Sequence, residues 1–402
     1  MTDEVAPADE AGIIAAVADA YASGTPLEIL GNGSKRGLLR PVQAARTVSA
    51  RALSGITLYS PQELILSAKA GTPVAEISAA VAERGQQITS EPPDISALLD
   101  SSAPQTIGGV VGANLSGPRR VAWGATRDHV MGVRSVNGRA ELVRSGGRVL
   151  KNVTGLDICK LLTGSHGTLA VLTEITLKVL PAAERRGTVV LAGLDPKQGV
   201  AALSAALGSP YAVSGAAYLP ADAAARVPAL AWLGRAVALA RIEDFAQSVS
   251  YRTDKLRADL ASFGAAELLD DAASRAAWQA VRDAVPLHGH EGAIWRVSVR
   301  PSAGPAVAEA VVAAFGAKWF LDWGGGLVWI AGPGTAAAHD AVVAAAKAGG
   351  GTWMLLRAPE GLRASVAVIP EEAPALARIT AAVKAAFDPK GILNPGRMYA
   401  GV

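Results

Sequence analysis

Apolar residues recur three and four positions apart at Val74, Ile77 and Val81 within "TPVAEISAAVAERG", which puts their side chains on one helical face. Thr72 reads as the N-cap of that helix, Pro73 as its first helical residue and Gly85 as the residue past its end. Before it, "ITLYS" and "ELILSAKAG" read as strands, and "TLAVLTEITLKVLP" alternates polar and apolar positions until Pro181 stops it. From residue 293 the pattern runs strand "AIWRVSVR", helix "AGPAVAEAVVAAFG", strand "KWFLDW", strand "GLVWIAG", helix "AAAHDAVVAAAKAG" and strand "TWMLLRA". That order is β-α-β-β-α-β, a split ferredoxin-like unit. Residues 184 to 242 carry a similar strand, helix and strand, so the second half is expected to be an antiparallel sheet with helices on one face. The pattern divides the chain into residues 1–183, residues 184–386 and a terminal segment, residues 387–402, in which "DPKGILNPGRMY" holds too many prolines and glycines for regular structure.

Residues 104 to 180 break the pattern. Glycines crowd "QTIGGVVGANLSGPRRVAWGATRDHVMG" and apolar pairs at helical spacing are few, so the stretch reads as long loops in which backbone meets a ligand. A second glycine loop lies earlier, in "LEILGNGSKRG". Gly31 and Gly33 begin a G-x-G-x-x-G fingerprint, yet Arg36 holds its sixth position and Gly37 comes one residue late. Pro41 interrupts the helix that a Rossmann loop must open, and no G-K-[ST] follows. What is left is a strand and a loop of backbone N–H groups able to cradle an anion without a helix.

The 402 residues exceed what one core usually serves, so two domains are expected. A net charge of +3, with no Lys/Arg run interleaved with aromatics, argues against a nucleic-acid surface. The single cysteine, Cys159, excludes a disulfide framework, a thiolate zinc site and an iron–sulfur cluster held by this chain alone; it reads as a small buried hydrophobe. "MTDEVAPADE" is acidic and lacks the basic start of an export signal. The uncharged stretch from Trp323 to Ala338 is too short and too rich in glycine to span a bilayer, and a cytoplasmic protein is expected.

Taken in order, "GNGSKRG", "AKAGTPVAEISAAVAERGQ", "TIGGVVGANLSGPRR", "GATRDHVMGVRSVNG", "GGRVLKNVTGLDICKLLTGSHGTLAVLTEITLKVLP" and "FDPKGILNPGRMY" resemble the flavoproteins of the VAO/PCMH-type FAD-binding family. Within that family they look most like the FAD-binding subunits of bacterial glycolate oxidases. The resemblance implies an α+β fold: a PCMH-type FAD-binding domain of two α+β subdomains, then a C-terminal FAD-linked-oxidase-like α+β domain, then a tail returning to the first. It implies FAD extended between the subdomains, with its pyrophosphate on two glycine loops. Gly31, Asn32, Gly33, Ser34 and Lys35 would form one side and Thr106, Ile107, Gly108 and Gly109 the other. Ser116, Gly117, Arg127 and Asp128 would continue beside the ribityl chain, and Gly167, Thr168 and Val171 would place backbone near the adenine. Asn394, Pro395, Gly396 and Arg397 would bring the terminus back to the flavin. Some family members attach FAD through His or Cys; the loop offers only Asn32, Ser34 and Lys35, so dissociable, non-covalent FAD is expected.

The resemblance further implies a glycolate dehydrogenase complex that oxidises glycolate or a similar 2-hydroxy acid. The chain would work with a homologous catalytic flavin subunit and an iron–sulfur subunit that takes the electrons, in the cytoplasm or at the inner membrane through those partners. Two other readings stay open: a stand-alone FAD-dependent oxidoreductase of a hydroxy acid or alcohol, and a non-catalytic assembly subunit that keeps the fold. If the chain has its own substrate chemistry, Arg119, Arg120, Lys151 and Asn152 are the candidates for the carboxylate, with solvated or phosphate-facing cations as the plainer reading. Of five histidines, His129 and His166 lie in flavin-domain loops, where hydrogen-bonding roles are expected, and His339 is expected on an exposed helix face. His288 and His290 in "PLHGHEG" have metal-like spacing, but two ligands do not make a site, so no metal is assigned and the segment reads as a loop.

Overall fold

The computed structural model describes residues 3–147 and 156–401. Three short strands, Asp3–Val5, Arg46–Ser49 and Leu27–Leu30, pair in parallel in that order. The helix Glu10–Ser23 accompanies them, capped by Asp9, whose Oδ1 accepts from Gly12 N at 2.8 Å. A second, antiparallel sheet is built from Ile56–Ser60, Ile65–Lys69, Ala170–Lys178, Val130–Asn137 and Leu142–Gly146, in that spatial order. The two sheets share one core: Ile13, Val17 and Leu27 pack in the same cluster as Leu66, Ile77, Val110 and Ile175.

The predicted Val74–Ala82 helix forms and buries Val74, Ile77 and Val81. Its start differs: Pro73 is the N-cap, and the Thr72 hydroxyl donates to Lys69 O at 2.7 Å instead of capping. The glycine-crowded stretch is also more regular than expected. Ile107–Ala113 is a helix despite Gly108, Gly109 and Gly112, and Val130–Asn137 is an eight-residue strand. The helix is specified by its cap, since Thr106 Oγ1 accepts from Gly109 N at 3.3 Å, and by burial of Ile107, Val110 and Val111.

The rest of the chain folds around an eight-stranded sheet, wholly antiparallel, ordered Ala266–Leu269, Arg185–Ala192, Val237–Asp244, Val213–Leu219, Lys318–Asp322, Leu327–Gly332, Ala293–Ser298 and Thr352–Arg357. Each half is a complete β-α-β-β-α-β unit, and the two meet strand to strand through Tyr218 and Leu321. One face carries the four repeat helices: Gly199 of Pro196–Leu207 lies against Tyr218, Gly187 under Val249 and Thr253 of Ala246–Asp259, and Gly332 under Phe315 of Gly304–Phe315, while Trp295 Nε1 donates to His339 of Ala336–Ala348. His339 is therefore buried, not exposed as its alanine-rich surroundings suggest.

The opposite face, bearing Arg186, Arg241, Glu243, Arg296, Phe320, Asp322 and Trp329, turns toward the flavin half. There Arg119 Nε and Nη2 donate to Glu243 at 3.0 and 2.7 Å, and both Arg241 terminal nitrogens donate to Glu91 at 3.0 Å. Trp323 Nε1 adds a bond to Gly117 O at 3.2 Å.

Candidate functional site

The Leu27–Leu30 strand delivers Gly31 to the mouth of a groove of about 770 Å³ in the first half of the chain. Four short segments wall it: residues 29–38, residues 106–113, residues 166–172, and Asn394 with Arg397. Gly33 takes a φ of 77°, and Arg36 N donates to Gly33 O at 3.0 Å, so the loop turns back on itself. That turn leaves the N–H groups of Asn32, Gly33, Ser34 and Lys35 without an acceptor among the described residues. Across the groove Gly108 N donates to Ala70 O at 2.8 Å, which ties the second wall to the core.

The two walls approach so closely that side chains are excluded. A Cβ on Gly31 would lie 2.4 Å from Thr106 Oγ1, and one on Gly108 would lie 2.8 Å from Ala70 O. The terminal segment stitches the walls together. Ile29 N donates to Asn394 Oδ1 at 2.7 Å, while Asn394 Nδ2 donates to His166 O at 2.7 Å. Leu27 N donates to Ile392 O at 2.7 Å, and Lys384 Nζ reaches Thr168 O and Leu393 O at 2.7 and 2.9 Å.

Charge gathers at one end. Arg397 is buried and spends its guanidinium on the carbonyls of Lys35, Arg36 and Arg40, at 3.0 to 3.2 Å. Lys35 Nζ has only the neutral Gln105 Oε1, at 3.0 Å, and burial pushes its ammonium down to about 8, with Asp94 partly opposing. A half-buried cation facing a neutral amide beside four N–H groups without an acceptor among the described residues is a donor set without its anion.

Of the residues expected from sequence, Gly31, Asn32, Gly33, Ser34, Lys35, Thr106, Gly108, Gly109, Gly167, Val171, Asn394 and Arg397 line this groove. Others lie elsewhere. Ile107 is in the core, Ser116 Oγ accepts from Thr126 N at 2.9 Å, and Asp128 caps its own loop by accepting from Ala125 N at 2.8 Å. Arg127 is exposed, and Thr168 donates to Ser165 O at 2.7 Å. Gly117 packs against Glu91, whose carbonyl oxygen would be 2.2 Å from an added Cβ, and Gly396 forms the turn between Asn394 and Arg397 with a φ of 73°.

Of the carboxylate candidates, Arg119 is neither solvated nor facing phosphate; it belongs to the buried ion cluster with Glu243 and Glu91. Arg120 is exposed, with its guanidinium 4.8 Å from the Trp323 ring centre. Lys151 and Asn152 lie outside the described residues. The groove also holds a residue that sequence reading did not assign to it: His166, with a φ of 52°, whose imidazole burial and the neighbouring Arg397 push down to about 3. Its signal was its place immediately before Gly167. His129 Nε2 bonds Trp123 O, His288 Nε2 bonds Asp283 O and His290 Nε2 bonds Gly332 O, each at 2.9 Å. Cys159 is buried against Ser145 O.

Residues 4–146 match the family described as FAD binding domain, and residues 364–398 match FAD linked oxidases, C-terminal domain. The glycolate oxidase subunit GlcE of Escherichia coli is 33% identical over 96% of this chain and 95% of its own length. The glycolate oxidase subunit GlcD of Bacillus subtilis is 38% identical over 25% of this chain and 20% of its own. Among solved structures, p-cresol methylhydroxylase with substrate bound superposes with a TM-score of 0.74 over 98% of this chain and 88% of that one, at 13% identity, which bears on fold alone. No helix among the described residues is long and apolar enough to cross a membrane. With a relative aligned over nearly its whole length and a glycine-walled groove where the FAD-binding pattern falls, the chain belongs to the VAO/PCMH-type family of FAD-dependent oxidoreductases.

Proposed function

We propose that this chain is the FAD-binding subunit of a multi-subunit flavoenzyme that oxidises glycolate, or a similar small 2-hydroxy acid, to the 2-oxo acid. The observation that carries the reading is the pairing of a nearly full-length match to GlcE with a groove whose donors lack an anion. When bound, FAD supplies a hydride acceptor for the carbon that bears the hydroxyl.

The chain's own residues bind and orient. Backbone N–H groups of Asn32, Gly33, Ser34 and Lys35 donate to pyrophosphate oxygens, and the Ser34 hydroxyl adds a donor. Thr106 already accepts from Gly109 N, which leaves its hydroxyl proton to donate across the groove. Lys35 supplies the positive charge, while Asn394 and Arg397 act as positioning residues that hold the walls. FAD is held without a covalent bond in this reading, since the glycine loop offers Asn32, Ser34 and Lys35 and Cys159 is buried away from the groove.

The partners in this reading are a homologous flavoprotein subunit that carries the oxidation and an iron–sulfur subunit that removes the electrons. Support comes from the word subunit in the names of both glycolate oxidase relatives and from the lone cysteine here. The test is anaerobic: load the purified chain with FAD, add glycolate or D-lactate, and follow the flavin band near ~450 nm. Bleaching of the chain alone marks its own oxidation site. Bleaching that needs the partner flavoprotein marks a relay or assembly role, and failure to take up FAD overturns the reading. Flavin left in the protein pellet after acid precipitation overturns the non-covalent assignment.

A further inference from the structure

Arg296, on the Ala293–Ser298 strand, faces the flavin half of the molecule and makes no hydrogen bond or ion pair among the described residues. Its Nε is sealed from solvent without a partner, while the residue as a whole is only half-buried, so the accessible part of this side chain remains open to a ligand. Tryptophan rings hold it in place: its Cζ is 4.9 Å from the Trp329 ring centre and 5.5 Å from that of Trp323. Indole faces attract a guanidinium through their quadrupole but offer its N–H groups no acceptor. The charge is therefore positioned while its hydrogen-bonding capacity stays unspent.

A second guanidinium converges on the same ring. Arg120 of the flavin half has its Cζ 4.8 Å from the Trp323 centre, and Trp323 is itself anchored to that half by the bond from Nε1 to Gly117 O. The acids around the pair form no ion pair with it among the described residues: Asp128 acts on Arg120 from an exposed position, and Asp322 acts on Arg296. Asp322 spends Oδ1 on Trp323 N at 2.7 Å, and burial raises its carboxyl to about 7, against that hydrogen bond and the neighbouring arginines. Arg296 is pushed down to about 10 by burial, Asp322 opposing, with Arg120 adding repulsion. The other arginines at this seam have carboxylates: Arg119 and Arg241 each pair with Glu91 and Glu243, and Arg186 pairs with Glu243.

We propose that Arg296 and Arg120, converging on the Trp323 indole at the junction of the two halves, form a binding site for a small carboxylate. The site stands on these side chains; that its occupant is a 2-hydroxy acid rests on the proposed function. Arg296 and Arg120 both approach the Trp323 ring and repel one another, so a bound anion relieves that repulsion, and guanidinium donors suit a carboxylate.

The test uses the FAD-loaded full chain and reads tryptophan fluorescence and thermal midpoint during titration with sodium glycolate, with sodium chloride at matched ionic strength and ethylene glycol as controls. Glycolate saturates both signals and the controls do not. Arg120→Gln, an exposed position that leaves the fold intact, weakens apparent affinity roughly 10- to 100-fold, and Arg296→Lys weakens it less than Arg296→Met. Unchanged affinity in Arg120→Gln and Arg296→Met overturns the site, as does a wild-type chain that binds no glycolate or prefers inorganic phosphate. The proposed function is judged separately by flavin bleaching in the assembled complex. Glycolate bound through Arg296 with no bleaching there keeps the site and removes that function; bleaching with unchanged variants does the reverse.

Discussion

Arg119 of the flavin half and Glu243 of the C-terminal sheet form a two-pronged ion pair, 124 residues apart in sequence, with a Glu243 side chain that solvent does not reach. Glu243 also accepts from Arg186 Nε at 2.7 Å and Ser214 Oγ at 2.8 Å, and lies 3.2 Å from Arg241 Nε. One carboxylate thus anchors three guanidiniums at the seam between the halves. Burial works to raise its pKa, and Arg241, Arg119 and Arg186 overcome it, holding the carboxyl well below the usual range.

Glu243→Gln removes the charge around which the three arginines gather, leaving Glu91 paired with Arg119 and Arg241 and Arg186 without an ion-paired acid among the described residues. Breaking a buried pair of this kind costs about 3–5 kcal/mol, to be read by denaturant unfolding with FAD bound. The pH dependence follows from the lowered pKa: the stabilisation is present above the ordinary carboxylate range and lost as pH falls toward the folded value. The variant should lose that acid-side slope, and a variant as acid-sensitive as the wild type would show that Glu243 does not lock the seam.

Lys35 makes FAD affinity depend on pH on the alkaline side. In the free chain its ammonium has been lowered to about 8, so it is charged below that pH and increasingly neutral above it. A bound phosphate favours the charged form, so binding above about pH 8 takes up a proton. Affinity should therefore be flat below that pH and weaken by up to roughly tenfold per pH unit above it. Fluorescence titration of FAD measures this, and Lys35→Met should bind more weakly with a flat profile.

How far these features were legible in the sequence depends on the range of the interactions behind them. Val74, Ile77 and Val81 announced their helix because three residues on one face suffice. The Ile107–Ala113 helix was hidden, since glycines at 108, 109 and 112 erase the apolar pattern and Thr106 supplies the signal instead. The first ferredoxin-like repeat was legible for only part of its length: its second helix, Ala246–Asp259, buries just Val249, Thr253 and Leu256 amid charged residues. His339 lay in an alanine-rich helix that gave no hint of Trp295 across the sheet. The groove walls were legible because glycine loops are local. The Arg119 and Arg296 environments were not, because Glu91 and Glu243 meet the first, and Trp323 and Trp329 the second, only through the tertiary fold.

Asn394 ties the first wall to the third without needing to touch the cofactor. Asn394→Ala strands Ile29 N and frees the His166 loop, a loss of about 1–3 kcal/mol for a buried donor left unpaired. Asn394→Asp keeps the acceptor for Ile29 N but sets a carboxylate against His166 O and the anion in the groove, so its FAD affinity should fall below that of Asn394→Ala. Equal affinities in all three would show that the terminal segment does not shape the groove.

Two glycines on the same helix separate a demand of the fold from a demand of the ligand. A methyl on Gly108 would sit 2.8 Å from Ala70 O and 2.9 Å from Ala70 Cβ, atoms that cannot swing aside, so Gly108→Ala should destabilise the chain with or without FAD. Gly112 also lines the groove, but nothing lies within 4 Å of its added Cβ. Gly112→Ala should therefore fold as stably as the wild type and, lying in a helix, gain up to about 1 kcal/mol from glycine's lost flexibility. A drop in FAD affinity in that stable variant can come only from space the cofactor needs. Unchanged affinity would mean that FAD does not run past Gly112, and the second wall would contact it only through Thr106 and the two glycines that follow Ile107.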